Sequence, residues 1–421
     1  MRGWNGTLAR VRQEFQSRPT HDEALNLLPL DTPFAPFALP VSTHPLVSIV
    51  IPVHGELAYT FACLRSLTRH AAQVPFEVIV VDDASPDDSA ATLARIDGLQ
   101  LVRNASNLGF VGSCNAGAAA ARGEFLLFLN NDTQVTSGWL DALLGCFADH
   151  PDCGIAGSKL VYPDGRLQEA GALVFADGSC WTTGRFEPRQ AAAFRWRREV
   201  DYVSGASLLI RREVFRQVGG FDARYAPAYY EDADLAFAVR RLGLRTYYEP
   251  ASTVIHCEGI SAGTDLDHGM KKHQRPNQAK FVDKWTAELV DQAAVGTPIE
   301  QAIRWRKRGR VLVVDAMTPE PARDSGSLRL CAILGLLDEQ GWSTAFLPDD
   351  GHASSVEIDA LGALGCEVLC KPAVSDLPQW LRQHGHELHA VILCRHTVAG
   401  QYAAVVRRHA PQARLIFDTV D

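Results

Sequence analysis

The chain has 421 residues, enough for two or three domains at about 150 residues each. Hydrophobic residues make up 47% and charged residues 21%, which excludes wholesale disorder. The 41 Lys and Arg against 49 Asp and Glu leave a net charge of −8, and so mild an acidity argues against nucleic acid as a partner.

In chain order, MRGWNGTLARVRQEF lacks the apolar core of a signal peptide, and no later stretch reaches the ~18 apolar residues of a membrane span. The sequence therefore predicts a cytosolic protein. A short helix is predicted over Thr7–Phe15, followed by a proline-rich passage, LPLDTPFAPFALPVSTHP, read as a linker or a strap over another surface. Regular structure starts at LVSIVIPV (46–53), an apolar β-branched run of the buried parallel type. A helix over 57–70, a strand FEVIVVD (76–82), a helix opened by Ser85-Pro86-Asp87-Asp88 and a strand LQLVRN (99–104) follow. Next come a small-residue helix from Gly112 to Arg122, a strand EFLLFLN (124–130) and a helix from Ser137 to His150. This alternation predicts a doubly wound α/β sheet, mostly parallel.

Residues 154–210 read as short strands and hairpins, ending in the strand VSGASLLI (203–210). Glu231–Leu242 reads as an amphipathic helix, RTYYEP as a short strand and Phe281–Ala294 as a helix. The polar 258–280 segment, with His268, Lys271, Lys272 and His273 in its 258–275 part, reads either as a closing lid or as a surface loop. A linker over 295–309 ends in Arg304, Arg306, Lys307 and Arg308, read first as a solvated face and second as a weak membrane contact. From Arg310 five strands and four helices alternate as a Rossmann-like lobe, and the last strand runs out at Asp421, which predicts an incomplete lobe. The predicted boundaries are thus 1–45, 46–294, 295–309 and 310–421. Ten cysteines without CxxC pairing read as reduced, buried thiols, and Cys366 with Cys370 lacks the second pair a zinc site wants.

Ligands of parallel α/β sheets bind beyond the carboxyl ends of the strands. Those ends carry Pro52, Val53, His54, Gly55 and Glu56; Asp82, Asp83 and Ser85; Asn104, Asn107 and Gly109; and Asn130, Asn131 and Asp132. No P-loop lysine and no strict GxGxxG is present, which disfavours P-loop and dinucleotide enzymes. Asp82 reads foremost as a turn acceptor, whereas Asp83 is the candidate to accept the imide N–H of a uracil or thymine ring. Glu56 either accepts ribose hydroxyls or sits as the acid of a first helical turn. Asn107 and Asn115 either cap loops or bond a nucleotide, and His54 stands at the rim. Asn130-Asn131-Asp132 either ends a strand in a turn or supplies oxygens to Mg²⁺ or Mn²⁺. In YYEDADLAFAVRRLG, Glu231, Asp232 and Asp234 crowd a helix start, as dipole partners or as a general base for a hydroxyl. His256, after TVIH, is either structural or a metal ligand.

In order and spacing, VSIVIPVHGE, VIVVDDAS, NLGFVGSCNAGAAAARGEFLLFLNNDT, GASLLIRREVFRQVGGFD, YYEDADLAFAVRRLG and VIH resemble the inverting nucleotide-sugar transferases of glycosyltransferase family 2, of GT-A fold. The NLGF and LNNDT forms are most similar to the bacterial rhamnosyltransferase-like branch that builds cell-surface polysaccharide. The resemblance implies that Pro52, Val53, His54, Glu56 and Asp83 hold the base and ribose, and that Asn107, Gly109, Asn115 and Asn131 line the nucleotide-sugar pocket. It implies that Asp132, with Asn130 and His256, holds Mn²⁺ or Mg²⁺, and that Asp232, paired with Glu231, is the catalytic base. Gly205-Ala206 and GGFD (219–222) would shape the acceptor side. The family often has Asp-x-Asp where this chain has Asn130, an oxygen ligand without charge. The implied donor is a dTDP- or UDP-sugar, with dTDP-rhamnose favoured, and the implied acceptor is a glycan or lipid-linked glycan at the inner face of the plasma membrane, with at most peripheral membrane contact. Residues from Arg310 are similar to the N-terminal lobe of GT-B transferases of the family 4 type. The rival readings are a non-catalytic sugar-nucleotide or glycan-binding scaffold of the same fold, and a nucleotidyltransferase, for which PVHGELAYT lacks the basic glycine-rich signature.

Overall fold

The computed structural model describes residues 25–257 and 272–419. The predicted Thr7–Phe15 helix and the 258–271 part of the lid, with His268 and Lys271, lie outside the described residues. Of the described residues, 25–189 with 199–257 and 272–299 form a larger unit, and 190–198 with 300–419 a smaller one.

The larger unit runs β1 (Val47–Val53), α1 (Leu57–Arg69), β2 (Phe76–Asp82), α2 (Ser89–Leu93), β3 (Leu99–Arg103), α3 (Gly109–Ala120), β4 (Phe125–Leu129), β5 (Thr133–Val135) and α4 (Trp139–Asp149). It continues with β6 (Cys153–Val161), β7 (Leu167–Glu169), β8 (Ala172–Val174), β9 (Cys180–Thr182), β10 (Arg198–Val200), β11 (Ser207–Arg211), α5 (Arg212–Gln217), α6 (Glu231–Arg241), β12 (Arg245–His256) and α7 (Gln274–Leu289). The apolar runs of β2 and β4 are buried throughout, as strands covered on both faces must be. The small residues of α3 let it lie close on the sheet, for a Cβ on Gly117 would stand 2.3 Å from Val50 Cγ1.

The main sheet has the order β10-β12-β6-β11-β4-β1-β2-β3, with β5 on β12 and β7 on β6. β1, β2, β3 and β4 pair in parallel, but β11 is antiparallel to both β4 and β6. The sheet is therefore mixed, a correction to the mostly parallel one expected. An apolar run buried on both faces does not encode strand direction. Three further elements differ from expectation. The strand predicted over 203–210 begins only at Ser207, and RTYYEP and TVIH are one strand, β12, with a register shift between Glu249 and Thr253. The last helix starts at Gln274 and kinks at Trp285.

The proline-rich passage lies along this unit as a strap. Ala38 bridges to Asp97, Phe34 and Phe37 pack on Phe61, and Leu28 and Gln134 exchange two hydrogen bonds.

The smaller unit begins with α8 (Ile299–Ala302), which spans the boundary, and continues with β13 (Arg310–Asp315), α9 (Ser325–Glu339), β14 (Ser343–Pro348), α10 (Ser355–Ala363) and β15 (Cys366–Val368). It ends with α11 (Leu377–His384), β16 (Leu388–Cys394), α12 (His396–His409) and β17 (Arg414–Asp418). Its five strands are all parallel in the order β15-β14-β13-β16-β17, the order of a doubly wound sheet. Asp324, Ser354 and Asp376 cap three of the helices through their side chains, Ser354 in a capping box with Glu357.

Arg304 and Lys307 of the basic run turn inward, while Arg308 is exposed. Arg304 pairs with Glu367 at 2.6 Å and Lys307 with Asp338 at 2.8 Å, inside the smaller unit. Burial raises the Glu367 carboxyl, but Arg304 and Arg310 overcome that and hold it at about 2, below its ordinary 4.5. Glu367→Gln leaves Arg304 without its anion and Arg310 with Glu387 alone, so it should cost about 3 kcal/mol at pH 7. A depressed carboxylate contributes its stability above the unfolded value and loses it as pH falls through the folded one. The gap between wild type and variant in urea unfolding should therefore close between about pH 4.5 and 2. Among the described residues, no helix is long and apolar enough to cross a membrane.

Candidate active site

Several candidate residues turn out to hold the rim together. Asp83 is buried, and its carboxylate accepts from Asn104 Nδ2, Leu108 N and Gly109 N, each at 2.8 Å. Where an imide contact was expected, three in-chain donors are found, leaving one of about four acceptor positions. Asp82 is the turn acceptor expected, taking a hydrogen bond from Ser85 N. His54 donates from Nδ1 to the Asp83 carbonyl at 2.8 Å, so its Nε2 is the acceptor for Asn107 Nδ2 at 3.1 Å. Asn107 Oδ1 in turn takes a hydrogen bond from Gly109 N. Gly109 has φ +70°, and a Cβ there would stand 2.5 Å from Pro227, so only glycine fits. Val53 lies beneath, its carbonyl accepting from Asp83 N, with Pro52 half-buried and Glu56 exposed beside it. Glu56 adopts φ 55°, rare for a non-glycine residue.

Two other candidates have in-chain partners. Asn115, expected in the nucleotide pocket, clasps the backbone of Phe221 through both ends of its amide, at 2.8 and 3.0 Å. Asn131, expected there too, is buried and donates to Thr60 Oγ1 at 3.0 Å.

Asp132 and His256 meet because β5 and β12 pair antiparallel, with Thr133 opposite His256. The His256 ring is oriented by Gln168, whose Oε1 accepts from Nδ1 at 2.9 Å. That leaves Nε2 facing the cluster, 3.2 Å from Asp132 Oδ1 and 3.4 Å from Asn130 Nδ2. Asp132 Oδ1 is buried and receives no hydrogen bond, an expensive condition for a carboxylate oxygen. A cation there would satisfy it, with His256 Nε2 and the Asn130 amide oxygen as further donors, so the residues fit Mn²⁺ or Mg²⁺. Among the described residues no three His, Cys, Asp or Glu side chains form a complete cage, so such an ion would need oxygens from its substrate.

The third cluster opens α6. Tyr229 and Tyr230, both bulky, hold φ 77° and 75° just before it, a conformation costing about 1–3 kcal/mol each. The turn they make presents Glu231 and Asp232 in the first turn. Asp232 is half-buried, and it accepts a hydrogen bond from Ala233 N at 2.8 Å. Burial lifts its carboxyl to about 6, against the pull of backbone amides. Glu231 is buried, with Oε2 receiving no hydrogen bond; burial first and Asp232 second push it well above the ordinary range. Asp234, the third acid, is spoken for by Tyr225, Lys284 and Trp285, and anchors α7.

A raised carboxyl contributes stability below its unfolded value that is lost as pH rises through the folded one. Glu231→Gln should therefore raise the melting temperature at pH 8 and leave it nearly unchanged at pH 4, read by calorimetry at both pH values.

The clusters share neighbours. Cys114 is pushed up by burial and then by Glu231 and Asp83, so its thiol lies near both. Tyr59 is raised by burial and then by Cys257, Glu56 and Asp132. Asn130 N donates to the carbonyl of Ala206 at 3.1 Å. Asp83, Asp132 and Asp232 all lie in the larger unit. Sequence reasoning missed Gln168 and Tyr59, and also Cys180 and Tyr202, which stand beside Asp232. Gln168 lies in a three-residue strand with no readable period, but Tyr59 stands three residues after Glu56 in the first turn of α1 and could have been found by helical spacing.

Residues 48–219 match the family model Glycosyl transferase family 2. An uncharacterized protein of Sinorhizobium fredii is 32% identical over 55% of this chain and 26% of its own length. An O-antigen biosynthesis protein of Myxococcus xanthus is 32% identical over 54% of this chain and 18% of its own. An N-acetylglucosaminyl-diphospho-decaprenol L-rhamnosyltransferase of Mycobacterium tuberculosis is 29% identical over 58% of this chain and 87% of its own. The chain spans about a quarter or less of the first two of these relatives.

Proposed function

We propose that the chain is an inverting glycosyltransferase that moves a sugar from a nucleoside diphosphate to a hydroxyl of a cell-surface polysaccharide or lipid-linked glycan. Rhamnose from dTDP-rhamnose is the favoured donor, in keeping with the rhamnosyltransferase relative, and a UDP-hexose is the second choice. One observation carries the reading: Asp232, half-buried on a strained turn, with its carboxyl at about 6. That value suits a base working near neutrality. Asp232 takes the proton of the acceptor hydroxyl as its oxygen attacks the anomeric carbon, beside Glu231, whose carboxyl burial and then Asp232 push well above its ordinary range. His54, Asn107 and the Asp83-pinned loop through Gly109 line the nucleotide side, with Glu56 facing the ribose. Asp132, His256 and Asn130 would hold Mn²⁺ or Mg²⁺, which supplies positive charge to the leaving diphosphate. We take the reaction to be cytoplasmic, with at most peripheral membrane contact.

The smaller unit's strand order supports reading it as one acceptor-binding lobe of a GT-B type, and we give it no second activity. A thermal-shift panel of nucleotide sugars with and without Mn²⁺ tests the donor, because a ligand stabilises in proportion to its occupancy. A shift with dTDP-rhamnose that grows with Mn²⁺ is expected. Equal silence toward every nucleotide sugar would remove the reading.

A further inference from the structure

β7 carries an extra residue that aims one side chain at the Asp132 cluster. It pairs antiparallel with β6, Val161 opposite Leu167 and Leu160 opposite Glu169. Between those pairs β6 advances one residue and β7 two. Gln168 is therefore the extra residue of a β-bulge, a device that turns a side chain out of its regular direction. On its other edge β6 pairs parallel with β12, Val161 opposite Ile255, the residue before His256. Gln168 and His256 thus flank the same end of β6, and Gln168 Oε1 meets His256 Nδ1 at 2.9 Å.

The bulge is held from both sides. Leu167 N donates to the Glu187 carbonyl and Phe186 N to the Leu167 carbonyl, each at 2.8 Å. Glu169 accepts from Ser204 N, and Ala170 N donates to the Thr183 carbonyl, both at 2.9 Å. Gln168 is 6% exposed, so its amide answers to protein partners rather than to bulk water. An amide oxygen only accepts, so Nδ1 carries the imidazole proton and Nε2 the lone pair. Asn130 agrees: its Nδ2, which only donates, stands 3.4 Å from Nε2. The other tautomer would put a proton on Nε2, 3.2 Å from Asp132 Oδ1. That proton would satisfy the carboxylate oxygen and occupy the place a cation needs.

We infer that Gln168 is a positioning residue for the metal site: by accepting from Nδ1 it holds His256 in the tautomer whose Nε2 can coordinate a divalent cation, and it keeps Asp132 Oδ1 open to the same ion. The inference rests on the reading of Asp132 and His256 as metal ligands, but its first test does not. Gln168→Leu removes the acceptor. Gln168→Glu puts a carboxylate oxygen in its place, a partner that serves metal-binding histidines equally well.

Nitrogen NMR of histidine-labelled full-length protein reads which nitrogen of His256 bears the proton, at about pH 8.5, where an ordinary imidazole is neutral. The signal is assigned by its loss in His256→Gln. Wild type and Gln168→Glu should show the proton on Nδ1, and Gln168→Leu should move it to Nε2. Calorimetric titration with Mn²⁺ alone should show affinity about 10–100-fold weaker in Gln168→Leu and within about threefold of wild type in Gln168→Glu. A proton on Nε2 in wild type overturns the inference even if Gln168→Leu fails to fold, and so does equal Mn²⁺ affinity in wild type and Gln168→Leu. Wild type with the proton on Nδ1 but no heat from Mn²⁺ overturns the metal site of the proposed function and the metal half of this inference with it, and the tautomer half stands.

Discussion

Asp232→Asn lowers turnover by about 10³-fold and leaves nucleotide affinity within about twofold. The amide preserves the shape of the carboxylate and can still accept from Ala233 N, but it cannot take a proton. The same residue sets the pH dependence. With its carboxyl at about 6, the fraction able to act as a base halves near pH 6 and falls tenfold for each further unit of acidity. Wild-type kcat/KM should show that acid limb, and the variant's residual rate should not. Turnover equal to wild type in Asp232→Asn would transfer the role to another residue. A limb near pH 4 would mean that substrate or solvent reaches the carboxylate more freely than its burial implies.

Asp132→Ala abolishes the dependence of nucleotide binding on Mn²⁺ and lowers turnover by about 10²-fold or more, since charge neutralisation at a leaving group contributes several kcal/mol. The argument is the buried Oδ1 that receives no hydrogen bond beside His256 Nε2. Removing the carboxylate also removes that unfavourable desolvation, so the variant should melt no lower than wild type in metal-free buffer. Calorimetric titration of Mn²⁺ into both proteins separates the outcomes. Heat of binding in wild type alone supports the site, and none in either removes it.

Much of this was legible in the residues. The strands at 47–53, 76–82, 99–103 and 125–129 stood out because apolar β-branched runs between turn residues leave little else to form. Glu231 and Asp232 were legible because acids crowding a helix start are visible in one dimension. What the chain did not disclose was direction and partnership. Nothing in SLLIR marks β11 as antiparallel, since both its faces are buried. Asp83, Asn115 and Asn131 look like ligand groups in sequence, yet their polar atoms are used by backbone and side chains up to 106 positions away. Rim residues that bind a ligand and rim residues that tie the rim together are chemically alike, and only distances tell them apart. Asp132 gave the opposite result: a carboxylate oxygen left without a donor.

The 190–198 segment of the smaller unit has a consequence for synthesis. Its Arg195 binds Asp359 of α10, and the two are 164 positions apart, so at about 5–20 residues per second a ribosome needs roughly 8–30 s to supply the second after the first. Throughout that interval Trp196 and an unpaired guanidinium must wait in water on a half-made polypeptide. Chaperone demand during translation should therefore peak after the larger unit is out and before α10 emerges.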